Sequence, residues 1–493
     1  MEQQFCFDEA RFTYLVSEQP NPLFSQHTPI AGGALVVSHT AQTQVLSCRE
    51  GDREITLIGF CVDAHGELSR EQIPQAFLDR NFPDPESAYR FFDRFAGKYV
   101  VIACWGSRMA VWGDASCSVP VHYCLEAGNF CLSCLDHLAA EVCGKGESPL
   151  GLSVRLGSDL GQGMPNDLTL YEDIRALLAN HYLDLETKQA VRVSMDTKFE
   201  SLDAVVKGTD FLVSNIVREY RRHYEMVCPL TSGYDSRIVY AFLKEQIPDL
   251  NCYTFLHPGF TLETDDIRIP ETICGLFGTK RHLIADLTAP ESYRQELFRY
   301  MGSRHSARTI NLAYTYLSRW KGTALVNGDI IGQIGKSVLG NTIPNRVAGP
   351  RYFQCKIHNI APAARKEMKA YLEGIRKAGQ MHQVYDLFAL ENRCGRWAGQ
   401  TAMIYSLCGI DSLNIVNCRE LLRLWIGVPR EIRVANRIHA GLLTHKDPQL
   451  MTVPFNPDGK WGFMKKHWTL FYLATFLKFY AQLLRSRLRP AGR

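Results

Sequence analysis

The chain has 493 residues, of which 46% are apolar and 22% charged, and its formal net charge is +4. This length predicts two or three domains of ordinary globular composition. The small net charge gives no case for nucleic-acid binding through bulk charge. The first ten residues are acidic and lack the apolar segment of a secretory signal. We therefore expect a cytoplasmic protein whose 16 cysteines are reduced.

The first 195 residues carry short apolar runs separated by Gly, Asp and Ser turns. This pattern is typical of a β-rich domain. We expect one helix within it, over residues 87–95, and we expect the polar stretch 185–201 to contain its end. The clearest predicted strands are residues 34–38, 55–62, 98–105, 109–112 and 121–124.

From residue 202 to about residue 350, helical patterns alternate with single buried strands. Such alternation is typical of a parallel sheet with helices packed on it. Past residue 350 the pattern is helical to the end, so we expect a helical extension over residues 351–493. The predicted fold class is α/β. The strands predicted for the parallel sheet are residues 226–230, 251–256, 281–284 and 323–326.

The last predicted helix, residues 468–484, is rich in aromatic side chains and has basic residues on both flanks. Polar residues interrupt it, so it does not reach the apolar length of a spanning helix. A helix of this composition lies either in a membrane interface or docked on its own protein. Peripheral contact with the inner face of the membrane is therefore one of two expectations.

The most informative motif is Ser-Gly-Tyr-Asp-Ser, which lies between an apolar run and an apolar helical pattern. The order strand, tight loop and helix points backbone N–H groups at one spot, and the helix dipole adds to their field. Serine hydroxyls can donate to phosphate, glycine allows close approach, and an aspartate can hold Mg²⁺. The alternative is a helix capped by Ser232 or Asp235. The predicted phosphate-binding residues are Ser232, Gly233, Tyr234, Asp235 and Ser236.

With this motif the chain resembles the asparagine synthetase family, whose synthetase domain opens with Ser-Gly-Gly-Leu-Asp-Ser. The resemblance implies an adenine-nucleotide α-hydrolase-like domain over residues 202–350, with ATP and Mg²⁺ as cofactors. It also implies that the strand containing Thr254 and Phe255 lies at the adenosine end of ATP.

The N-terminal half extends the resemblance. Residues 95–99 and 113–123 are similar to two segments of the family's Ntn-type glutaminase domain. The glutamine-hydrolysing members use a cysteine at residue 2, with its own α-amino group as base, whereas this chain has Glu2. The resemblance therefore implies that residues 1–195 form an Ntn-hydrolase-like α+β sandwich without glutaminase activity. β-Lactam synthetases and lasso-peptide cyclases are members of this kind.

The loop after the fourth predicted strand departs from the family pattern. Gly332 and Gln333 stand where the family has an acidic pair that helps to bind Mg²⁺. Asp329 is the acidic residue that remains, and Mg²⁺ needs only one or two protein carboxylates. We expect Gly328 in the nucleotide site, and Asp235 with Asp329 at the metal. A turn or cap role is the alternative for Asp329.

A basic pair further along, Arg433 and Arg437, is similar to the family's Lys-x-x-x-Arg motif. The family's lysine neutralises charge during adenylation, and Arg433 brings positive charge without a compact ammonium. We expect Asp235 and Arg433 to be catalytic. A solvated helix position is the alternative for Arg433.

The resemblance implies an ATP-dependent ligase that forms an amide bond. A carboxylate of a small molecule or peptide attacks the α-phosphorus of ATP, and an amine whose source is other than glutamine then displaces AMP. Lasso-type macrolactam formation is one version. The alternatives are asparagine synthesis from ammonia, amidation in a surface-polysaccharide pathway, and a degenerate protein that only binds a partner. A homodimer or a partner from the same biosynthetic cluster stays open.

Overall fold

A computed structural model describes residues 4–126, 128–156, 164–302, 307–456 and 467–488. Within these residues it contains 17 β-strands and 17 α-helices, arranged as three sheets with helices packed on them. The predicted α/β class is confirmed. Glu2, the basis for the expected loss of glutaminase activity, lies outside the described residues. None of the described helices has the length and apolarity needed to cross a membrane.

The N-terminal half is built on twelve strands whose pairings are all antiparallel. They are β1 Tyr14–Ser17, β2 Gln26–Ile30, β3 Leu35–His39, β4 Val45–Glu50, β5 Arg53–Asp63, β6 Phe95–Trp105, β7 Arg108–Gly113, β8 His122–Cys124, β9 Cys131–Ser133, β10 Arg175–Ala176, β11 His181–Asp184 and β12 Gln189–Arg192. Two six-stranded sheets result, in the orders β10-β8-β9-β1-β3-β2 and β12-β11-β7-β6-β5-β4.

The two antiparallel sheets pack face to face, with Val37 of the first and Ile102 of the second in one core. Helices cover the outer face of the second sheet, where Phe77 and Phe92 pack with Trp112. Strands β5 and β6 are therefore buried on both faces, which explains their nearly continuous apolar runs. The helices of this half are α1 Ile73–Leu78, α2 Pro85–Phe91, α3 Asp136–Val142 and α4 Pro149–Leu156.

The helix predicted over residues 87–95 is wrong at both ends. It begins at Pro85, because the Asp84 carboxylate accepts a hydrogen bond from the Ser87 N–H at 2.7 Å and caps it. The α-helix ends at Phe91, and after one 3₁₀ turn Phe95 already pairs within the second sheet. Sheet pairing, which the helical pattern does not reveal, ends this helix.

The C-terminal half holds one five-stranded parallel sheet and thirteen α-helices among its described residues. The strands are β13 Met226–Pro229, β14 Asn251–Leu256, β15 Lys280–Ala285, β16 Ala324–Asn327 and β17 Ser412–Asn414. The helices are α5 Leu202–His223, α6 Tyr234–Gln246, α7 Asp265–Phe277, α8 Glu291–Met301, α9 Ala307–Arg319, α10 Pro350–Lys356, α11 Pro362–Lys377, α12 Val384–Phe388, α13 Gly399–Leu407, α14 Arg419–Gly427, α15 Arg430–Val434, α16 Arg437–Lys446 and α17 Trp468–Leu488.

The four predicted strands of the parallel sheet are confirmed, but the expectation that the chain is helical past residue 350 is wrong at β17. This strand has three residues, too few to show a period in the sequence. It forms because its backbone pairs with β16, and because the Asn414 amide donates to Asn327 Oδ1 at 2.9 Å. Long-range pairing of this kind overrides local pattern.

The strand order β15-β14-β13-β16-β17 places a topological switch point beside β13. The chain leaves β13 toward β14 on one side, and β16 pairs with its other side. In open parallel sheets, ligands bind outside the carboxyl ends of the strands at such a point. The loop of residues 230–233 and the loop after Asn327 both begin there.

Buried polar contacts join the two halves. Arg192 forms a two-pronged ion pair with Glu391, with both N···O distances at 2.9 Å. The Asn417 amide donates to Asp114 Oδ1 at 2.8 Å. Residues 193–201, between β12 and α5, form neither helix nor strand. The predicted domain limits themselves stay a prediction.

Candidate functional site

A cleft of about 550 Å³ opens at the carboxyl edge of the parallel sheet. Its floor comes from the loops after β13 and β16. Its far wall comes from α13 and the end of the π-helix Ala389–Ala398. The lining residues with polar side chains are Thr231, Asp235, Ser236, Tyr253, Asn327, Asp329, Gln333, Lys336, Trp397, Thr401, Tyr405 and Ser412.

The predicted phosphate loop runs from the end of β13 to the start of α6. Gly233 is the residue before the helix, in an extended conformation, and no side chain caps the helix N-terminus. The alternative of a helix capped by Ser232 or Asp235 is therefore wrong. Uncapped N–H groups at a helix N-terminus carry partial positive charge and favour an anion.

Asp235 and Ser236 line the cleft, and the structure adds Thr231, which sequence reasoning missed. The Thr231 and Ser236 hydroxyl oxygens lie 2.9 Å apart. Ser232 points elsewhere, because its hydroxyl and N–H both donate to Asp266 Oδ1, at 2.5 and 3.0 Å. Ser232 thus ties the loop to the start of α7.

The loop is supported from below by Arg237, a side chain that sequence reasoning also missed. Its guanidinium donates to the carbonyls of Ser232, Leu450 and Val453, at 3.1, 3.0 and 2.8 Å. Burial lowers the pKa of Arg237 to about 10. The Tyr234 ring stacks on Phe455, with centroids 3.9 Å apart, so Tyr234 packs beneath the loop.

Asp235 is the most constrained carboxylate of the cleft. Lys336 Nζ lies 2.7 Å from Asp235 Oδ1 as an ion pair, without the angles of a hydrogen bond. Burial opposes ionisation of Asp235, but His439 and Lys336 outweigh it and lower its pKa. His439 Nε2 lies 3.5 Å away, and burial lowers the pKa of His439, so this imidazole is neutral near pH 7.

Gly332 is required by the position of Asp235. A Cβ at residue 332 would come within 2.6 Å of Asp235 Oδ2. Gly328 lies on the other side, where a Cβ would contact the Asp235 backbone at 3.4 Å. Gly332, at a position where the resemblance led us to expect an acidic residue, therefore leaves room for the Asp235 carboxylate.

Asp329 is open to the cleft and accepts no hydrogen bond from the described residues. Protein atoms surround it even so, because it lies inside a concave site. That desolvation, together with the charge of Asp235, raises the pKa of Asp329. Two carboxylates that repel each other in one cleft fit a divalent cation.

The donor set for such a cation is small. The described residues contain no cluster of three or more His, Cys, Asp or Glu side chains that could hold a metal. Mg²⁺ commonly keeps several waters and takes one or two carboxylates plus substrate phosphates. Asp235 and Asp329 are the two carboxylates of such a set, and a bound nucleotide would have to supply the phosphate oxygens.

The predicted adenosine-end residues do not line the cleft. The Thr254 hydroxyl donates to the Leu230 carbonyl at 2.8 Å, which fastens β14 to the start of the loop. Phe255 is half-buried and lies near His257, with ring centroids 5.8 Å apart. Tyr253, one residue earlier, lines the cleft instead.

Arg433 is buried outside the cleft, with 2% of its surface exposed. It forms a two-pronged ion pair with Asp386, at 2.8 and 2.7 Å, and donates to the Ile334 carbonyl at 3.1 Å. It is therefore not a solvated helix position. It braces the π-turn Ile331–Gly335, and the ammonium that enters the cleft belongs to Lys336.

No protein-family model matches the chain, and no curated protein matches it. Among solved structures, the chain is similar to a glutamine-dependent NAD+ synthetase from Acinetobacter baumannii in complex with adenosine diphosphate, with 13% identity and a TM-score of 0.21. The alignment covers 37% of this chain and 40% of that chain. This chain thus spans about two fifths of the length of that synthetase.

Proposed function

We propose that the chain is an ATP-dependent, amide-forming ligase similar to asparagine synthetases, which activates a carboxylate as an acyl-adenylate. The observation that carries this proposal is the uncapped N-terminus of α6, which shares one cleft with Asp235, Asp329 and Lys336. Anion-binding N–H groups, two carboxylates and one ammonium are the set that a metal-bound polyphosphate needs.

In this proposal the pyrophosphate end of ATP lies against the N–H groups at the start of α6. The Thr231 and Ser236 hydroxyl groups donate hydrogen bonds to phosphate oxygens. Asp235 and Asp329 would hold Mg²⁺, which when bound neutralises charge on the departing pyrophosphate. Transfer of this kind depends on positioning and on charge stabilisation.

In this proposal Lys336, rather than Arg433, supplies the positive charge that the resemblance implies. Its ammonium can leave Asp235 and donate to a phosphate oxygen, because the pair faces the cleft and is partly exposed. A compact ammonium on a flexible stem suits such a shift, whereas Arg433 is held by four hydrogen bonds.

The acyl substrate would enter along the wall formed by Trp397, Thr401 and Tyr405. Burial and the nearby Asp329 both raise the pKa of Tyr405, so its hydroxyl stays protonated and can donate. The incoming amine is proposed to come from a source other than glutamine.

ATP binding tests the proposal before the acyl substrate is known. We expect calorimetric titration with ATP and MgCl₂ to show binding that Asp235→Ala weakens by about tenfold or more, equivalent to about 1.4 kcal/mol. Asp249→Ala, at an exposed turn, is the matched control and should bind as the wild type does. An Asp235→Ala variant with unchanged affinity would exclude this cleft as the nucleotide site.

A second pair of variants tests the geometry around Asp235. Gly332→Ala should weaken ATP binding because the new methyl group displaces the Asp235 carboxylate. Gly275→Ala adds the same methyl group in open space and should not. Pyrophosphate release with candidate carboxylates, including aspartate with ammonium, then distinguishes a ligase of another substrate from an asparagine synthetase.

A further inference from the structure

The last described helix, α17, exposes a stripe of large apolar side chains. Successive members are three or four residues apart, so they lie on one face of the helix. Leu477 is the most exposed, at 72%. The leucine stripe consists of Leu470, Leu473, Leu477, Tyr480 and Leu484.

The opposite face of α17 already packs on the protein. Tyr472 stacks on Tyr352 of α10 with centroids 5.5 Å apart, and Phe479 is 4% exposed. The Lys356 ammonium lies 5.2 Å from the centre of the Phe471 ring. The leucine stripe is therefore not the face that holds the helix in place.

A groove of about 410 Å³ runs beside the stripe and shares Tyr480 and Leu484 with it. Arg351 and Arg365 line this groove, both are exposed, and neither side chain forms an ion pair or hydrogen bond with the described residues. Burial and the neighbouring Arg393 and Lys478 lower the pKa of Lys356 to about 8. The region around the groove is therefore electropositive.

Charge decides which partner fits this face. Residues 459–493 contain eight Lys or Arg and no Asp or Glu, so this segment contributes +8 to a chain whose total is +4. A second copy of the chain would bring an equal positive charge to the interface, and like charges repel. An anionic lipid surface complements both parts, because its acyl region accepts the apolar stripe and its headgroups attract the basic groove.

We propose that the leucine stripe and the groove beside it form a docking surface for an anionic lipid bilayer. The stripe enters the boundary between headgroups and acyl chains, and Arg351 and Arg365 contact lipid phosphates. This surface is separate from the nucleotide cleft, so the proposal stands independently of the proposed ligase activity.

Vesicle flotation with the full chain tests the proposal. We expect binding to vesicles of 70% phosphatidylcholine and 30% phosphatidylglycerol that exceeds binding to phosphatidylcholine alone by about tenfold or more, since anionic headgroups attract each basic residue near the surface. Salt at 0.5 M should weaken it because the charges are screened. Equal binding to both vesicles would overturn the assignment.

Variants separate the two parts of the surface. Leu473→Glu with Leu477→Glu should reduce partitioning by about tenfold or more, because two inserted apolar side chains are lost. Leu262→Glu with Leu276→Glu changes two exposed leucines elsewhere and is the matched control. Arg351→Gln with Arg365→Gln should lower binding to anionic vesicles alone, and it leaves the helix intact should the leucine variant fail to fold.

Two results would contradict the proposal. One is a leucine-stripe variant that is folded by circular dichroism and floats as the wild type does. The other is a dimer of the wild type in light scattering that this same variant dissociates, because the stripe would then bind a second copy of the chain.

Discussion

Two aspartates, one in each half of the chain, have opposite surroundings. Asp114, in the N-terminal half, is 1% exposed, and its carboxylate accepts hydrogen bonds from the N–H groups of Ser116 and Ser118 and from the Asn417 amide. Asp329, in the C-terminal half, faces the cleft and accepts none from the described residues. The Asp114 carboxylate therefore stabilises the fold, whereas the Asp329 carboxylate can still accept a hydrogen bond or bind a cation.

The difference separates the two halves by role. Both carboxylate oxygens of Asp114 already accept hydrogen bonds, so a ligand could bind there only by breaking native hydrogen bonds. Asp329 itself has no cation or hydrogen-bond donor among the described residues, and burial together with the charge of Asp235 raises its pKa. The C-terminal cleft is therefore where we place the chemistry.

Substitution of the two aspartates should give the largest contrast. Asp114→Ala leaves several buried donors without an acceptor, so we expect the free energy of unfolding to fall by about 4 kcal/mol or more. Asp329→Ala removes a repelled charge and should leave stability unchanged or slightly higher, while ATP binding with Mg²⁺ weakens. Urea unfolding and ATP titration measure the two effects. The comparison fails if Asp329→Ala unfolds the protein as readily as Asp114→Ala does.

The cations of the C-terminal half should divide in the same way. Arg433→Ala leaves the buried Asp386 carboxylate without its partner, and we expect a loss of about 3 kcal/mol in stability. Lys336→Ala breaks a partly exposed pair and should cost less than about 1 kcal/mol. Lys336→Ala also removes a charge-assisted hydrogen bond to phosphate. We therefore expect this variant to bind metal-free ATP about tenfold more weakly than the wild type does.

Titration of ATP in the presence of a chelator measures this cation effect directly, because no Mg²⁺ is then available to bind the phosphates. Lys336→Gln is the neutral control with a similar side-chain length. If Arg433→Ala keeps its stability but loses ATP affinity, the transfer of the family's lysine to Arg433 is right and the assignment to Lys336 is wrong.

The sequence predicted the framework of the C-terminal half well, for a physical reason. The strands at residues 226–230 and 251–256 are buried between helices, so they appear as continuous apolar runs. The helix over residues 202–223 repeats its apolar residues at helical spacing. Strand β17 lacks such a pattern, since three residues hold no period and its pairing partner lies far away in the chain.

The sequence predicted those residues of the cleft whose positions follow from the local order of strand, loop and helix. Asp235 and Ser236 line the cleft as expected from a strand, loop and helix. Ser232 does not, because Asp266, 34 residues away, takes its hydroxyl. Lys336 was missed because the resemblance assigned the cation to Arg433, and only the fold shows which one reaches the cleft.

The smallest expected effect is a pH dependence set by Asp329. Its folded-state pKa is raised above the ordinary value of about 3.9, so the folded state binds its proton more tightly than the unfolded chain does. Between those two pKa values the stability of the nucleotide-free protein should therefore fall as pH rises. ATP binding with Mg²⁺ needs the ionised carboxylate, so affinity should fall on acidification at a higher pH than an ordinary aspartate would give. Asp329→Asn should remove this contribution from both pH dependences, and a wild-type affinity that stays constant over this range would show that Asp329 is not at the metal.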